Sequence, residues 1–255
     1  MTLNEAKITA VSDALLSARA SMTAFDTTSH SFQPSELADV YAIQAAVAAA
    51  RGPVGGWKVG APSPQAQASF APLAHAGICA TGTHLADDGR RLRGIEVEVA
   101  YRLAADLPPK STPYTVGEVS DAIDSAMAVI EVVESRLLDR EKAGAMWMLA
   151  DNQSHGELIV GQPVSAWQEL SLAEIAVRLT FADDVIIERD CRNAGGQPLD
   201  MVVKLANLCG THCGGLVAGQ VVTTGSLMGV EFAPTNAQVS ATVGGLGSVS
   251  LTFGV

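Results

Sequence analysis

Two periodicities divide the chain. Up to about residue 52, apolar positions recur at helical spacing, predicting helices over residues 3 to about 24 and 35 to 51. In the second, Ser35 stands as N-cap after Pro34, and Leu37, Val40, Tyr41, Ile43 and Val47 form the apolar series. "RGPVGG" at 51–56 breaks that pattern. From residue 55 onward the texture turns to short β-like runs separated by Gly, Pro, Asp and Asn: "GWKVG", "GIEVEVAYRL", "AVIEVVESRL", "ELIVG", "AVRLTFADDVIIERD", "QVVTTGS" and the pair "AQVSATVGGLGSVSLTF". Two stretches inside that body still read helical, "GEVSDAIDSAMA" leading into a strand at 129–134, and "LDMVVKLANLC". The expected fold class is α+β, one domain over 1–255, with a helical N-terminal segment (1–52) and a β-rich core (53–255).

Composition narrows what such a body can do. With 255 residues, 48% of them hydrophobic, the chain can bury a core without disulfide staples. A net charge of -11 without a Lys/Arg cluster repels a phosphate backbone, which argues against nucleic acid as a partner. The first twenty residues carry Glu5, Lys7, Asp13 and Arg19 and lack the apolar run of a signal peptide or membrane span, so a cytoplasmic protein is expected. Cys79, Cys191, Cys209 and Cys213 are too few and too scattered for a disulfide framework and read as reduced thiols. "CGTHC" at 209–213 could be a soft-metal site. It also continues an apolar helical pattern into Gly214-Gly215 and has no second Cys/His pair nearby, which favours small core-facing thiols over zinc.

The chemistry lies in the strands. In "GIEVEVAY" (94–101), Ile95, Val97, Val99 and Tyr101 alternate with Glu96, Glu98 and Ala100, placing two carboxylates on one strand face about 7 Å apart. A solvent-facing edge would explain that pair, but "AVIEVVESRL" sets another isolated carboxylate, Glu131, among apolar neighbours. Three carboxylates on apolar strands are costly unless something positive neutralises them. Lys or Arg could do so; a hard divalent cation, Mg²⁺ or Mn²⁺, does it with less crowding and leaves positions for water and substrate. Such a site suits a small-molecule substrate that chelates through adjacent oxygens, a 2-oxo or 2-hydroxy-enoic acid.

"GWKVG" (56–60), "IEVEVAY" (95–101), "EVVESRL" (131–137), "ADNQSHG" (150–156), "LAN" (205–207) and "AGQVVTTGS" (218–226) occur in the order found in one family. Over roughly residues 40–253 the chain resembles the 2-keto-4-pentenoate hydratase and 2-oxo-3-enedioate (4-oxalocrotonate) decarboxylase family of the fumarylacetoacetate hydrolase superfamily. The resemblance implies a mixed β-roll core, a Mg²⁺ or Mn²⁺ ion on Glu96, Glu98 and Glu131, and a homo-oligomer, possible pathway partner enzymes included. Glu134 stays outside the ligand set because alternation turns it to the opposite face from Glu131.

By itself Lys58 is a lysine in a tight Gly-flanked apolar segment, either snorkelling or functional. The resemblance implies that it binds substrate or moves protons, and burial near a cation would lower its pKa. "ADNQSHG" reads alone as a polar turn; the resemblance makes Asp151 and Ser154 catalytic and Asn152 a substrate contact. His155 is either a pocket group or a solvent-facing histidine. Thr224, Gly225 and Ser226, alone a common turn, are implied to hold the substrate carboxylate through hydroxyl and N–H groups. Two departures stand out: "APLAHAGICATG" offers His75 and Cys79 where many relatives carry a carboxylate, and "APTNA" (233–237) replaces the usual "PGD". The leading expectation is a metal-dependent lyase hydrating a 2-hydroxy-2,4-dienoate in meta-cleavage catabolism of aromatics. The alternatives are decarboxylation of a 2-oxo-3-enedioate, a non-catalytic partner subunit of such an enzyme, and a keto-acid binding protein.

Overall fold

The computed structural model describes residues 3–254, so residues 1, 2 and 255 of the expected 1–255 span lie outside it. Helix α1 (Leu3–Ala20) pairs with α2 (Leu37–Arg51) ahead of the strands. The first helix is shorter than its apolar pattern suggested, because Met22 takes a left-handed backbone (φ 51°). In the second, Glu36 rather than Ser35 holds the N-cap position. Ser35 instead donates its N–H and hydroxyl to Asp39 Oδ2 (3.0 and 3.4 Å).

Strands β1 (Val54–Gly60), β2 (Ser69–Ala74), β3 (Ile78–Ala80), β4 (Thr83–Ala86) and β5 (Gly94–Leu103) follow. A short helix α3 (Val116–Asp121), opened by a Thr115/Glu118 capping box, leads into β6 (Ile123–Val133). The strand thus begins well inside the segment expected to be helical. Residues 123–128 pair with β5 from Leu103 down to Val99, and that ladder overrides the helix preference of "DSAMA". Next come α4 (Arg140–Ala150), β7 (His155–Val160), the hairpin of β8 (Ile175–Phe181) and β9 (Asp184–Cys191), and α5 (Pro198–Leu208). The chain closes with β10 (Val221–Ser226), β11 (Glu231–Phe232), and the hairpin of β12 (Gln238–Val243) and β13 (Gly247–Gly254).

The strands form two mixed sheets. The larger runs β2-β1-β10-β5-β6-β7-β3, with β11 added to β5; the smaller runs β4-β13-β12-β8-β9. One apolar core holds the odd-numbered face of β5 (Val97, Val99, Tyr101) together with Ile130 and Val132 of β6, and Leu179, Val239, Val249 and Leu251 of the smaller sheet. A second cluster joins Val11 and Leu15 of α1 to Val40, Ile43 and Val47 of α2 and to Trp147 and Leu149 of α4. The architecture is α+β. Period-two alternation therefore turns the even-numbered residues of β5 away from the main core.

In "GPVGGWKVG", Gly56 lies where a Cβ would meet the Val221 carbonyl oxygen at 2.3 Å. Its absence lets β1 run parallel to β10 at contact distance and sets Lys58 beside Thr223. The cysteines are free, as expected; Cys209 is buried, and the Cys213 sulfur and Gln44 Oε1 lie 3.4 and 3.2 Å from His212 Nε2. No helix among the described residues is long and apolar enough to cross a membrane.

Candidate active site

β5 and β6 pair antiparallel with Glu96 opposite Glu131 and Glu98 one step along opposite Val129. The three side chains point to one face, and one oxygen from each lies within 4.8 Å of the others. They form part of the wall of a cleft of about 400 Å³ together with Lys58, Ser69, Gln153, Asn193, Gly225 and Ser226.

Each carboxylate is held differently. Glu131, fully buried, accepts from Lys58 Nζ (2.5 Å) and His155 Nδ1 (3.0 Å), both at Oε1. Its Oε2 is buried with no hydrogen-bond partner. Burial alone would raise this carboxyl, but Lys58 and His155 outweigh it and hold the pKa at about 2. Glu98 Oε2 accepts from the Thr223 hydroxyl and from the Gly225 N–H (2.8 Å). Burial and the neighbouring carboxylates Glu131 and Glu96 nevertheless push Glu98 up to about 8. Glu96 rises to about 7 through burial and Glu131, with Lys58 and Arg140 pulling it back. An orphaned buried carboxylate oxygen, and two carboxyls that resist ionisation beside a third, are what a hard cation would relieve. The donor set fits a divalent metal.

Lys58 departs from expectation. Burial works to lower its pKa, but Glu131, Glu96 and Glu98 together outweigh that, and the ammonium is held above its ordinary value. It stands ready to give a proton or bind an anion, and is not a free base. His155 faces Glu131 and is fully buried, so the solvent-facing alternative is excluded. Burial pulls its pKa to about 4 despite Glu131. A neutral ring beside an ionised carboxylate places the proton on Nδ1 and leaves Nε2 without a partner.

Several expected pocket residues lie elsewhere. Asp151 does not reach the cleft: it is buried in an ion pair with Arg136 Nε (2.5 Å) and accepts from the Ser135 hydroxyl and the Arg136 N–H. Asn152 is turned away, donating to the Pro72 carbonyl (3.1 Å). Ser154 lies behind Gln153, its buried hydroxyl unpartnered, in an adjoining chamber. The Thr224 hydroxyl donates to the Val99 carbonyl (2.7 Å) on the far side of the strand. Strand parity gives the inward place to Thr223. Gly225 and Ser226 do line the cleft, Gly225 with a left-handed backbone (φ 95°) that a side chain would strain. Glu134 lies outside the cleft, accepting the backbone N–H groups of Arg91, Leu92 and Arg93.

Sequence reading missed three groups. Gln153 faces the cleft, and its carbonyl accepts from Lys58 Nζ at 3.3 Å. Asn193, from the loop after β9, donates to the carbonyls of Thr224 and Gly225 (2.6 and 2.8 Å) and so fixes the turn that holds Glu98. Arg19, from α1, donates to the His155 carbonyl (2.7 Å), which also accepts from Arg136. These arginines clamp a segment in which Asn152, Gln153 and Ser154 are consecutively left-handed (φ 49°, 53° and 62°), an arrangement disfavoured for residues other than glycine.

Fold and site together define an α+β protein with a carboxylate centre suited to a divalent cation. The fold is shared with 4-oxalocrotonate decarboxylase from Pseudomonas putida G7, solved with magnesium and adipate: TM-score 0.84 at 23% identity, covering 99% of each chain. A family model, fumarylacetoacetate (FAA) hydrolase C-terminal, matches residues 41–253, and the chain belongs to that family. Among curated relatives, it is 28% identical over 160 residues to 2-keto-4-pentenoate hydratase 1 of Dechloromonas aromatica (strain RCB), covering 62% of this chain and 59% of the relative. It is 30% identical over 159 residues to 2-keto-4-pentenoate hydratase of Burkholderia vietnamiensis (strain G4 / LMG 22486), covering 62% and 60%. The chain thus matches less than two thirds of those relatives' length.

Proposed function

We propose that this protein is a divalent-metal-dependent lyase that hydrates a 2-hydroxy-2,4-dienoate by way of its 2-oxo-3-enoate tautomer. The observation that carries the reading is the unpartnered Glu131 Oε2, converging with Glu96 and Glu98 in a cleft that also presents the Lys58 ammonium. Glu96, Glu98 and Glu131 would hold Mg²⁺ or Mn²⁺, which when bound supplies positive charge for the oxygen that becomes anionic as an enolate develops. The names of the hydratase relatives and of the decarboxylase that shares the fold support a lyase.

The chain's own groups account for the remaining work. Lys58 Nζ, charged and held between Glu131 and the Gln153 carbonyl, can bind the acid's carboxylate and deliver a proton. In the hydration, C5 of the dienol gains a proton as the C2 hydroxyl loses one, moving the double bond to C3–C4. Water then adds its hydroxyl to C4 and a proton to C3. His155 holds Glu131 in place from behind through Nδ1 and remains neutral. Thr223, Gly225 and Asn193 fix Glu98 and its turn, so the cleft is set before a ligand arrives.

The test follows ultraviolet loss of freshly generated 2-hydroxypenta-2,4-dienoate by EDTA-stripped protein, with and without added Mg²⁺ or Mn²⁺. Metal-dependent formation of 4-hydroxy-2-oxopentanoate is expected. Metal binding without conversion of this or any longer 2-oxo-enoate would overturn the reading in favour of a binding protein or a non-catalytic subunit.

A further inference from the structure

The carboxylates of Glu131 and Glu98 are bound one-sidedly. Lys58 Nζ and His155 Nδ1 both donate to Oε1 of Glu131, while Oε2, also buried, accepts nothing. The Thr223 hydroxyl and the Gly225 N–H both donate to Oε2 of Glu98, and its Oε1 accepts from no protein group among the described residues. A carboxylate oxygen has two lone-pair directions, so two donors fill it. Carboxylates held only for the sake of their own burial would spread their donors over both oxygens. Here the donors double up on one oxygen of each residue and leave the other bare. His155 and Thr223 are fully buried, neither lines the cleft, and neither side chain makes another hydrogen bond among the described residues. Each therefore acts through the carboxylate it touches.

We propose that His155 and Thr223 are positioning residues that select the cation: each closes one oxygen of a ligand, so that Glu131 and Glu98 offer a metal ion one oxygen apiece. The inference rests on the metal-dependent reading above and concerns which ion the centre takes. Only Glu96, half-buried and without a hydrogen bond among the described residues, is free to use both of its oxygens. Ca²⁺ gathers about 6–8 oxygens, commonly taking carboxylates through both, whereas Mg²⁺ is smaller, octahedral and retains several waters. Ligands restricted to single oxygens favour Mg²⁺. Losing either donor would free the second oxygen of its carboxylate and admit the larger ion.

The experiment compares ions, not rates. EDTA-stripped protein is titrated calorimetrically with Mg²⁺ and with Ca²⁺ at one pH, and the ratio of the two affinities is read. Proton competition or a general loosening of the fold weakens both ions alike and leaves that ratio in place. The wild type is expected to favour Mg²⁺ by about ten-fold or more. His155→Leu and Thr223→Val, which fill the space without a donor, should each lower the ratio by about ten-fold. His155→Asn and Thr223→Ser, which keep a donor near the same place, should hold it within about two-fold. Thermal unfolding confirms that each variant is folded, and the near-isosteric Thr223 pair decides the matter if the His155 variants are not. Equal wild-type affinity for the two ions, or tighter Ca²⁺ binding, overturns the proposal and leaves the metal-dependent reading intact. A ratio unmoved by the donor-free variants, or lost equally in those that keep a donor, also overturns it. Binding of neither ion overturns both readings together.

Discussion

Loading the carboxylate centre with a cation should expel protons, and their number follows from the site. Glu131 is already ionised, being held at about 2, whereas Glu96 at about 7 and Glu98 at about 8 still carry protons near neutrality. Both groups being raised to neutrality or above, the pair holds at least one proton at pH 7 and loses nearly all of its protons by about pH 9. A cation that needs both carboxylates must displace them. Apparent Mg²⁺ or Mn²⁺ affinity should therefore rise by more than about ten-fold between pH 6 and pH 8, the proton being the competitor that disappears as pH rises. Calorimetric titration of EDTA-stripped protein at pH 7, in buffers of different ionisation enthalpy, reads the proton count directly. Repeating it from pH 6 to 9 reads the slope. Release of no protons at pH 7, or an affinity flat across that range, would refute both the raised carboxyls and their role as ligands.

The same two groups set the stability of the stripped protein: their pKa values in the fold lie above the ordinary 4.5, so the stability they confer is present below about pH 4.5 and lost as pH rises through about 8. Thermal melts should show that loss, and added Mg²⁺ should reverse it. Glu131→Gln removes the charge of a proposed ligand and of the carboxylate that pairs with Lys58 and His155, so metal affinity should fall by more than the roughly 10–100-fold typical of losing an outer partner, with activity falling alongside; full activity at limiting metal would reject the site. Lys58→Met should retain metal but lower turnover by about 10²–10⁴, read by comparing titration with steady-state rates. Asp151→Asn strands the buried Arg136 guanidinium and should destabilise the protein by about 3–5 kcal/mol in denaturant unfolding, with metal affinity changed far less than by Glu131→Gln.

The carboxylate centre was legible in the sequence because it obeys a local rule. Alternation in "GIEVEVAY" and the isolated Glu131 place three carboxylates on apolar strands, and pairing puts them face to face. Lys58 was legible as an oddity in a glycine-flanked strand. What failed was either a matter of one residue's parity or of long-range placement. "VVTTGS" offers two adjacent threonines, and only the register of β10 against β1 and β5 selects Thr223 over Thr224. Asn193 reaches the cleft from a loop after β9, with no local signal to announce it. "ADNQSHG" looked like an active-site turn, yet most of its polarity is spent on its own geometry, Asp151 on Arg136 and Asn152 on Pro72. The strand beginning at Ile123 was hidden by alanine and methionine, whose helix preference yields to the β5 ladder.

Arg19 bears on where the working unit begins. It belongs to α1, outside the family-matched residues 41–253, but its guanidinium grips the carbonyl of His155, the residue that steadies Glu131. A version trimmed to the matched span would retain every group that lines the cleft and lose one of the two arginines bracing the left-handed stretch behind it. Homology boundaries mark what is recognisable across relatives; the mechanical unit here extends further toward the N-terminus, and expression designs or domain swaps should keep the first helix with the body it braces.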